Sequence, residues 1–263
     1  MRNILLTISY DGTDFCGWQR QDGNPKVRTV QGALEEALEK IHGSKIILYG
    51  SGRTDSGVHA RAQAANFFSP AESIPLERYP LILNNFLPHD VRVMSAQEVV
   101  TDFNARFSAT SRVYRYFMCT DDVPVASSMR YVWHIKRMPN VQKLNALASC
   151  LRGELDCASF AASGDSSVST SRYLERAHFF TQQAQGSFPV GNLVVFEIEA
   201  NAFLWKMVRS LVGTIMQLEK QCADDDALRC ILEAKDRKRA GVTAPPHGLF
   251  LWQVQFNGIR RHA

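Results

Sequence analysis

The chain has no long apolar run, no low-complexity tract and no cysteine pattern that would organise a metal site. A membrane-spanning helix needs about 20 apolar residues, and alternation over residues 3–10 predicts a strand in place of a signal peptide. The six cysteines are scattered without a C-x-x-C pair, which is typical of thiols in a reducing compartment. These absences exclude membrane, disulfide-rich and zinc-protein classes and predict a cytoplasmic protein.

The composition is that of an ordinary globular protein. Of 263 residues, 45% are hydrophobic and 21% are charged. Lys plus Arg number 30 against 26 Asp plus Glu, a net charge of +4, which is compatible with a polyanionic partner without identifying one. Basic residues concentrate at 106–137 and 235–239, although a solvated surface explains any single cluster equally well.

The hydrophobic pattern predicts two similar halves. The first reads β-α-β-β-α-β, with a helix from Thr29 to Gly43, a second helix over 75–86, and strands at 3–10, 45–50, 62–68 and 91–99. The second repeats this order with strands at 112–118, 172–181, 192–200 and 249–256 and helices at 141–152, 203–219 and 225–238.

We therefore expect an α/β protein of the α+β type built from two split-βαβ halves. The sheets would be mixed or antiparallel, with helices packed on one side and a catalytic cleft between the halves. The expected domains are residues 1–104, which carry the loop of Asp55, and residues 105–263.

That loop is the most informative segment. Asp55 lies between Gly52 and Gly57 with Arg53 two positions before it. Glycines let backbone approach a ligand closely, so the loop could present a reactive carboxylate. An isolated loop Asp more often makes a turn or a cap. The segment also resembles the start of a P-loop, but Val58-His59 replaces the required Lys-Ser/Thr.

Other residues are candidates to join Asp55. Arg209 lies within the apolar helix predicted over 203–219, where a buried guanidinium would need a carboxylate such as Asp55, another acid, or an outlet to the surface. Tyr114, flanked by arginines in a strand, offers a ring for base stacking, although strand tyrosines often only pack. Leu251 faces away from the aromatic side of the last strand and could line a pocket.

Several motifs together resemble the tRNA pseudouridine synthase A family over nearly the whole chain. They are Tyr10-Asp11-Gly12, Gly17-Trp18-Gln19, Thr29-Val30-Gln31, Gly52-Arg53-Thr54-Asp55 with Gly57-Val58-His59-Ala60, Phe103-Asn104-Ala105-Arg106-Phe107, Tyr114-Arg115-Tyr116, Phe203-Leu204 with Met207-Val208-Arg209, Gly213-Thr214 and Ala244-Pro245-Pro246-His247-Gly248-Leu249.

The resemblance implies an isomerase that converts uridine to pseudouridine at positions 38, 39 and 40 of the tRNA anticodon arm. Asp55 would be the catalytic aspartate, Arg209 its paired arginine and Tyr114 the ring against the target base. Arg53 would help to extrude that base, and Leu251 would line its pocket. The family acts as a homodimer on tRNA, without a metal or organic cofactor.

The chemical route stays open at this point. Asp55 could add to C6 of uracil or assist at the sugar. Two other hypotheses are a non-catalytic RNA-binding module, which explains a buried Arg209 poorly, and an Asp-dependent hydrolase or phosphotransferase, which would need Mg²⁺ or ATP.

Overall fold

The computed structural model describes residues 1–21, 27–183 and 192–261. In chain order the strands and helices are β1 (Arg2–Tyr10), α1 (Val30–His42), β2 (Tyr49–Gly50), β3 (His59–Ser69), α2 (Arg78–Phe86), β4 (Val91–Val99), β5 (Ser111–Cys119), β6 (Trp133–His134), α3 (Val141–Ala148), β7 (Gly153–Asp156), β8 (Ser171–Gln183), β9 (Asn192–Ala200), α4 (Met207–Lys220), α5 (Ala227–Glu233) and β10 (Leu249–Gln255).

The chain divides into two compact units. The first contains Met1–Thr110 and Phe250–Gly258, and the second contains Ser111–Leu249 and the chain from Ile259. The expected domains 1–104 and 105–263 stay predictions, as does the cleft between the halves.

The first unit has the expected β-α-β-β-α-β order. β1 lies between β4 and β3, antiparallel to both. β10 runs parallel to the start of β3, where Leu251 pairs with Ala60. β2 pairs with the far part of β3 through Tyr49 and Asn66. β3 therefore anchors both ends of the loop between β2 and β3, because it pairs with β2 before the loop and begins where the loop ends.

Both helices of the first unit pack on the same face of its sheet. The ring of Phe67 on β3 lies 6.0 Å from His42 of α1 and 5.8 Å from Tyr79 of α2. α1 begins as expected, because the Thr29 side chain accepts a hydrogen bond from the Gly32 amide. It ends at Gly43, whose φ of 66° suits a glycine C-cap.

The second unit is an antiparallel sheet in the order β5, β9, β8, β7, with β6 parallel to β5. Asn145 of α3 bonds both backbone polar groups of Phe179 on β8, and the ring of Phe179 lies 4.5 Å from that of Phe196 on β9. Arg115 on β5 forms an ion pair with Glu197 on β9 at 2.6 Å. Mixed α/β composition and mostly antiparallel strand pairing confirm the expected fold class.

Several predicted element bounds were wrong. The strand expected over 45–50 is only Tyr49–Gly50. The Leu48 carbonyl accepts a hydrogen bond from Gln31 and the Leu48 amide donates to Glu35, so neither group is available to pair with a strand. The helix expected over 203–219 begins at Met207, after Lys206 in the left-handed region at φ 59°. The helices expected over 75–86, 141–152 and 225–238 are shorter, and the short strands β6 and β7 were missed.

Across the described ranges, no helix is long and apolar enough to cross a bilayer.

Candidate active site

Residues 51–58 form the loop that carries Asp55, and β3 supports its first half. The Ser51 amide donates to the Ala64 carbonyl at 2.8 Å. The Ser51 hydroxyl donates to Gln63 Oε1 at 2.6 Å, and Gln63 Nε2 donates to the Gly52 carbonyl at 2.9 Å. Gln63 is fully buried, so this support is shielded from competing water.

The segment after β1 supports the residues that flank Asp55. The Thr54 carbonyl accepts from the Trp18 amide at 3.1 Å, and the Thr54 hydroxyl lies 2.8 Å from the buried hydroxyl of Tyr10. On the other side, the Phe15 carbonyl accepts from the Gly57 amide and from the Ser56 hydroxyl. Asp55 is thus fixed through both of its neighbours.

Two glycines permit this close approach. A Cβ on Gly12 would lie 2.0 Å from the Val58 carbonyl oxygen. Gly17 has a φ of 92°, and a Cβ there would lie 2.6 Å from the Thr54 carbonyl oxygen. The closest approaches are therefore made by glycines of the supporting segment, and a Cβ on Gly52, beside Asp55, would meet nothing within 4 Å.

Asp55 is partly exposed and Arg53 is exposed, so the loop presents both side chains at the surface of the first unit. Arg53 donates through Nε to Gln19 Oε1 at 3.2 Å. The Asp55 carbonyl accepts from the Val58 amide at 3.1 Å, which closes a turn after it. The carboxylate therefore sits on a turn that is closed by a backbone hydrogen bond.

His59 lies beneath this loop with no exposed surface. Its Nδ1 accepts from the Gly12 amide at 3.0 Å, and its ring stacks on Phe250 at 4.6 Å. Asp11 Oδ1 lies 3.2 Å from the same nitrogen. These contacts tie His59 to the segment after β1 and to β10, so its ring helps to hold the end of the loop in place.

Leu251 is fully buried on β10 beside Ala60, in the same unit as Asp55. Leu249 on the same side of the strand is also buried. The partly exposed Phe250 and Trp252 occupy the other side, as the alternation predicts.

Tyr114 and Arg209 belong to the second unit. Tyr114 on β5 is buried and contacts Phe203 edge-on, with ring centroids 5.0 Å apart. Phe203 lies in the segment that was expected to be helical. A packed neighbour of this kind fixes the ring plane of Tyr114.

The expected position of Arg209 was wrong in two respects. It is the third residue of α4 instead of lying in the middle of the helix, and it is partly exposed instead of buried. Its Nε donates to the Ala244 carbonyl at 2.8 Å, and the Ala244 amide donates to the Arg209 carbonyl at 3.1 Å. A pairing between Arg209 and Asp55 stays a prediction.

Tyr116 secures the chain segment that Arg209 contacts. Its hydroxyl donates to the Pro245 carbonyl at 2.8 Å, next to Ala244. Burial raises the pKa of the Tyr116 phenol far above its ordinary value, so the group stays a neutral donor. This role of Tyr116 was not predicted from the sequence, where its signal is a tyrosine on the buried face of β5.

Three buried polar side chains of the first unit were also not predicted. Gln31, Glu35 and Gln63 are all buried, although two of them lie on an amphipathic helix and one on a strand. A glutamine or glutamate at a position that the periodicity assigns to the core was the available signal.

A protein-family model matches most of the chain. The family model described as tRNA pseudouridine synthase matches residues 6–108 and 147–257, which include Arg53, Asp55, Arg209 and Leu251 but not Tyr114.

Curated relatives match almost the whole chain. A tRNA pseudouridine synthase A from Treponema denticola is 52% identical over 97% of this chain and 93% of its own length. One from Treponema pallidum is 50% identical over 94% of this chain and 85% of its own length. One from Brachyspira hyodysenteriae is 41% identical over 97% of this chain and 99% of its own length.

Proposed function

Because the chain belongs to the tRNA pseudouridine synthase family, whose members isomerise uridine to pseudouridine in tRNA, we propose that Asp55 is its catalytic carboxylate. We further propose that its targets are uridines 38, 39 and 40 of the anticodon arm, as is typical of the family.

The observation that supports this role is that the backbone on both sides of Asp55 is held by hydrogen bonds. Its neighbours Thr54 and Ser56 are hydrogen-bonded to the segment after β1, while its side chain stays partly exposed. A carboxylate that only made a turn would not need such support. Catalysis does need it, since a misplacement of about 1 Å can cost a factor of about 10² in rate.

The reaction breaks the C1′–N1 bond, turns the detached uracil, joins C5 to C1′ and removes the proton from C5. Asp55 takes part either by adding to C6 or by assisting at the sugar. Both routes require the carboxylate to reach atoms that are hidden in a stacked helix, so the uridine must flip out at a cost of about a few kcal/mol.

The remaining roles follow from this reaction. Tyr114 and Leu251 hold the detached uracil close to the sugar, which makes recombination effectively unimolecular. Arg209 stabilises the charge of Asp55. Arg53, exposed beside Asp55, fills the space that the flipped base leaves.

We also propose that the protein is a homodimer whose tRNA touches both subunits and that it works in the cytoplasm. A reducing compartment suits its cysteines, all six of which are free thiols, with Cys16, Cys222 and Cys230 exposed.

The test replaces Asp55 with Asn, which keeps the size of the side chain but removes the charge and turns one acceptor oxygen into an amide donor. We expect release of tritium from tRNA containing 5-³H-uridine to fall by more than about a hundredfold, while tRNA binding is retained. Asp102→Asn, an exposed aspartate of the same unit, is the matched control. Normal release by Asp55→Asn would refute the proposal.

The target positions are tested separately. Pseudouridines mapped on tRNA isolated with and without the protein should differ at positions 38, 39 and 40. A difference confined to other positions would overturn the assignment of the anticodon arm and leave the role of Asp55 standing.

A further inference from the structure

A chain of hydrogen-bonded side chains leads from the interior of the first unit to Arg53. It begins at Glu35 on α1, passes through Gln31 and then Gln19, and ends at the Arg53 guanidinium. Gln31 and Gln19 belong to the motifs Thr29-Val30-Gln31 and Gly17-Trp18-Gln19, to which no role has yet been assigned.

The inner end is a buried carboxylate. Glu35 is 6% exposed, and its Oε1 accepts from the Leu48 amide at 3.2 Å and from Gln31 Nε2 at 3.1 Å. Its Oε2 accepts from Arg20 Nη1 at 3.1 Å. An ionised carboxylate can only accept, so Gln31 must turn its amide nitrogen inward.

Backbone groups set the same orientation of Gln31. Its Nε2 donates to the Leu48 carbonyl at 3.2 Å, and its Oε1 accepts from the Arg20 amide at 3.0 Å. A backbone carbonyl can only accept and a backbone amide can only donate. A flipped Gln31 amide would therefore lose both bonds, and Oε1 must face outward.

The orientation of the Gln31 amide fixes that of the Gln19 amide. Its Nε2 donates to Gln31 Oε1 at 2.8 Å, which leaves Oε1 to face Arg53 as an acceptor. Arg53 Nε, which is only a donor, completes the chain at 3.2 Å. Every link thus has one possible direction, and the outer end specifies a hydrogen-bond donor at position 53.

We propose that Gln19 is a positioning residue that holds Arg53 ready to fill the space left by the flipped base, and that Gln31 and Glu35 set the direction of the Gln19 amide. The inference rests on the role of Arg53 in the proposed function. A bond to Nε restrains the plane of the guanidinium and uses none of its four terminal N–H donors. An exposed arginine that is ordered in advance loses less side-chain entropy when it enters the tRNA.

The test is a double-mutant cycle on the full-length protein. The variants are Gln19→Met, which keeps the side-chain length but removes both hydrogen bonds, Arg53→Ala and the double variant. The control is Gln97→Met, an exposed glutamine on β4. Base extrusion is followed by the fluorescence of 2-aminopurine next to the target uridine, and isomerisation by single-turnover release of tritium.

We expect Gln19→Met to slow extrusion and single-turnover release by about threefold to tenfold, with tRNA affinity and thermal midpoint like those of Gln97→Met. In the Arg53→Ala background, Gln19→Met should have no further effect, because it acts through Arg53. A loss caused by structural damage would instead lower the thermal midpoint and persist in that background.

Two results would overturn the proposal. If the rate losses caused by Gln19→Met and Arg53→Ala multiply in the double variant, Gln19 does not act through Arg53. If Arg53→Ala extrudes the base at the normal rate, the roles of Gln19 and Arg53 both fall. The catalytic role of Asp55 is independent of either result, since Asp55→Asn tests it alone.

Discussion

Replacing Gly17 with Ala should displace the loop of Asp55 while leaving the Asp55 side chain chemically unchanged. The new methyl group would lie 2.6 Å from the Thr54 carbonyl oxygen and 3.3 Å from the Asp55 carbonyl carbon. Ordinary Cβ contacts begin at 3.4 Å, so the segment around Thr54 must move by about 0.8 Å. The Trp18 amide, which donates to the same oxygen, would be strained as well.

Two terms make up the cost. A φ of 92° is one that side-chain-bearing residues rarely adopt, which costs about 1–2 kcal/mol. The steric displacement adds about 1–3 kcal/mol. We therefore expect the free energy of unfolding to fall by about 2–5 kcal/mol and kcat to fall by about tenfold to a hundredfold, because Asp55 shifts by a large part of 1 Å.

Gly43→Ala is the matched control. Gly43 also has a positive φ, 66°, but a Cβ there meets nothing within 4 Å. It should lose about 1–2 kcal/mol of stability through backbone strain alone, with unchanged kcat. Urea unfolding and steady-state tritium release compare the two variants. A Gly17→Ala enzyme with a kcat within twofold of normal would refute the argument that this contact positions Asp55.

Other predictions concern pH, the second unit and salt. Burial of Glu219 raises its pKa, but hydrogen bonds from Arg137 and the Asn140 amide outweigh burial and hold it below its ordinary value. The Glu219 carboxylate therefore stabilises the fold above its unfolded-state pKa, and this contribution is lost as pH falls from that value through the lower folded-state pKa. In urea titrations between about pH 7 and pH 3, Glu219→Gln should show a shallower loss of stability than the wild type, and equal slopes would contradict this. Tyr116→Phe should lose about 1 kcal/mol in urea unfolding by removing the donor to the Pro245 carbonyl, and an unchanged midpoint would show that this bond contributes nothing. Affinity for tRNA, measured by filter binding, should fall steeply from low to moderate salt because Lys and Arg displace counterions; a flat response would exclude phosphate contacts as a main source of affinity.

Local patterns predicted much of the fold because their causes are local. Thr29 caps α1 and Gly43 ends it through groups within four residues. The bounds of β4 and β9 are those expected, since their β-branched and aromatic residues favour a strand locally. Prediction failed where a distant group competed, as at Leu48, whose backbone bonds to Gln31 and Glu35 shortened β2.

The sequence motifs identified the family, and the hydrophobic pattern predicted the order β-α-β-β-α-β of the first unit. Both signals come from residues that lie near one another along the chain. They also singled out Asp55. Only the tertiary structure decided that Arg209 is partly exposed at the start of α4. It alone linked Gln19 to Glu35 through Gln31. Hydrogen bonds between residues far apart in sequence leave no periodic signal, because they depend on how separate elements pack.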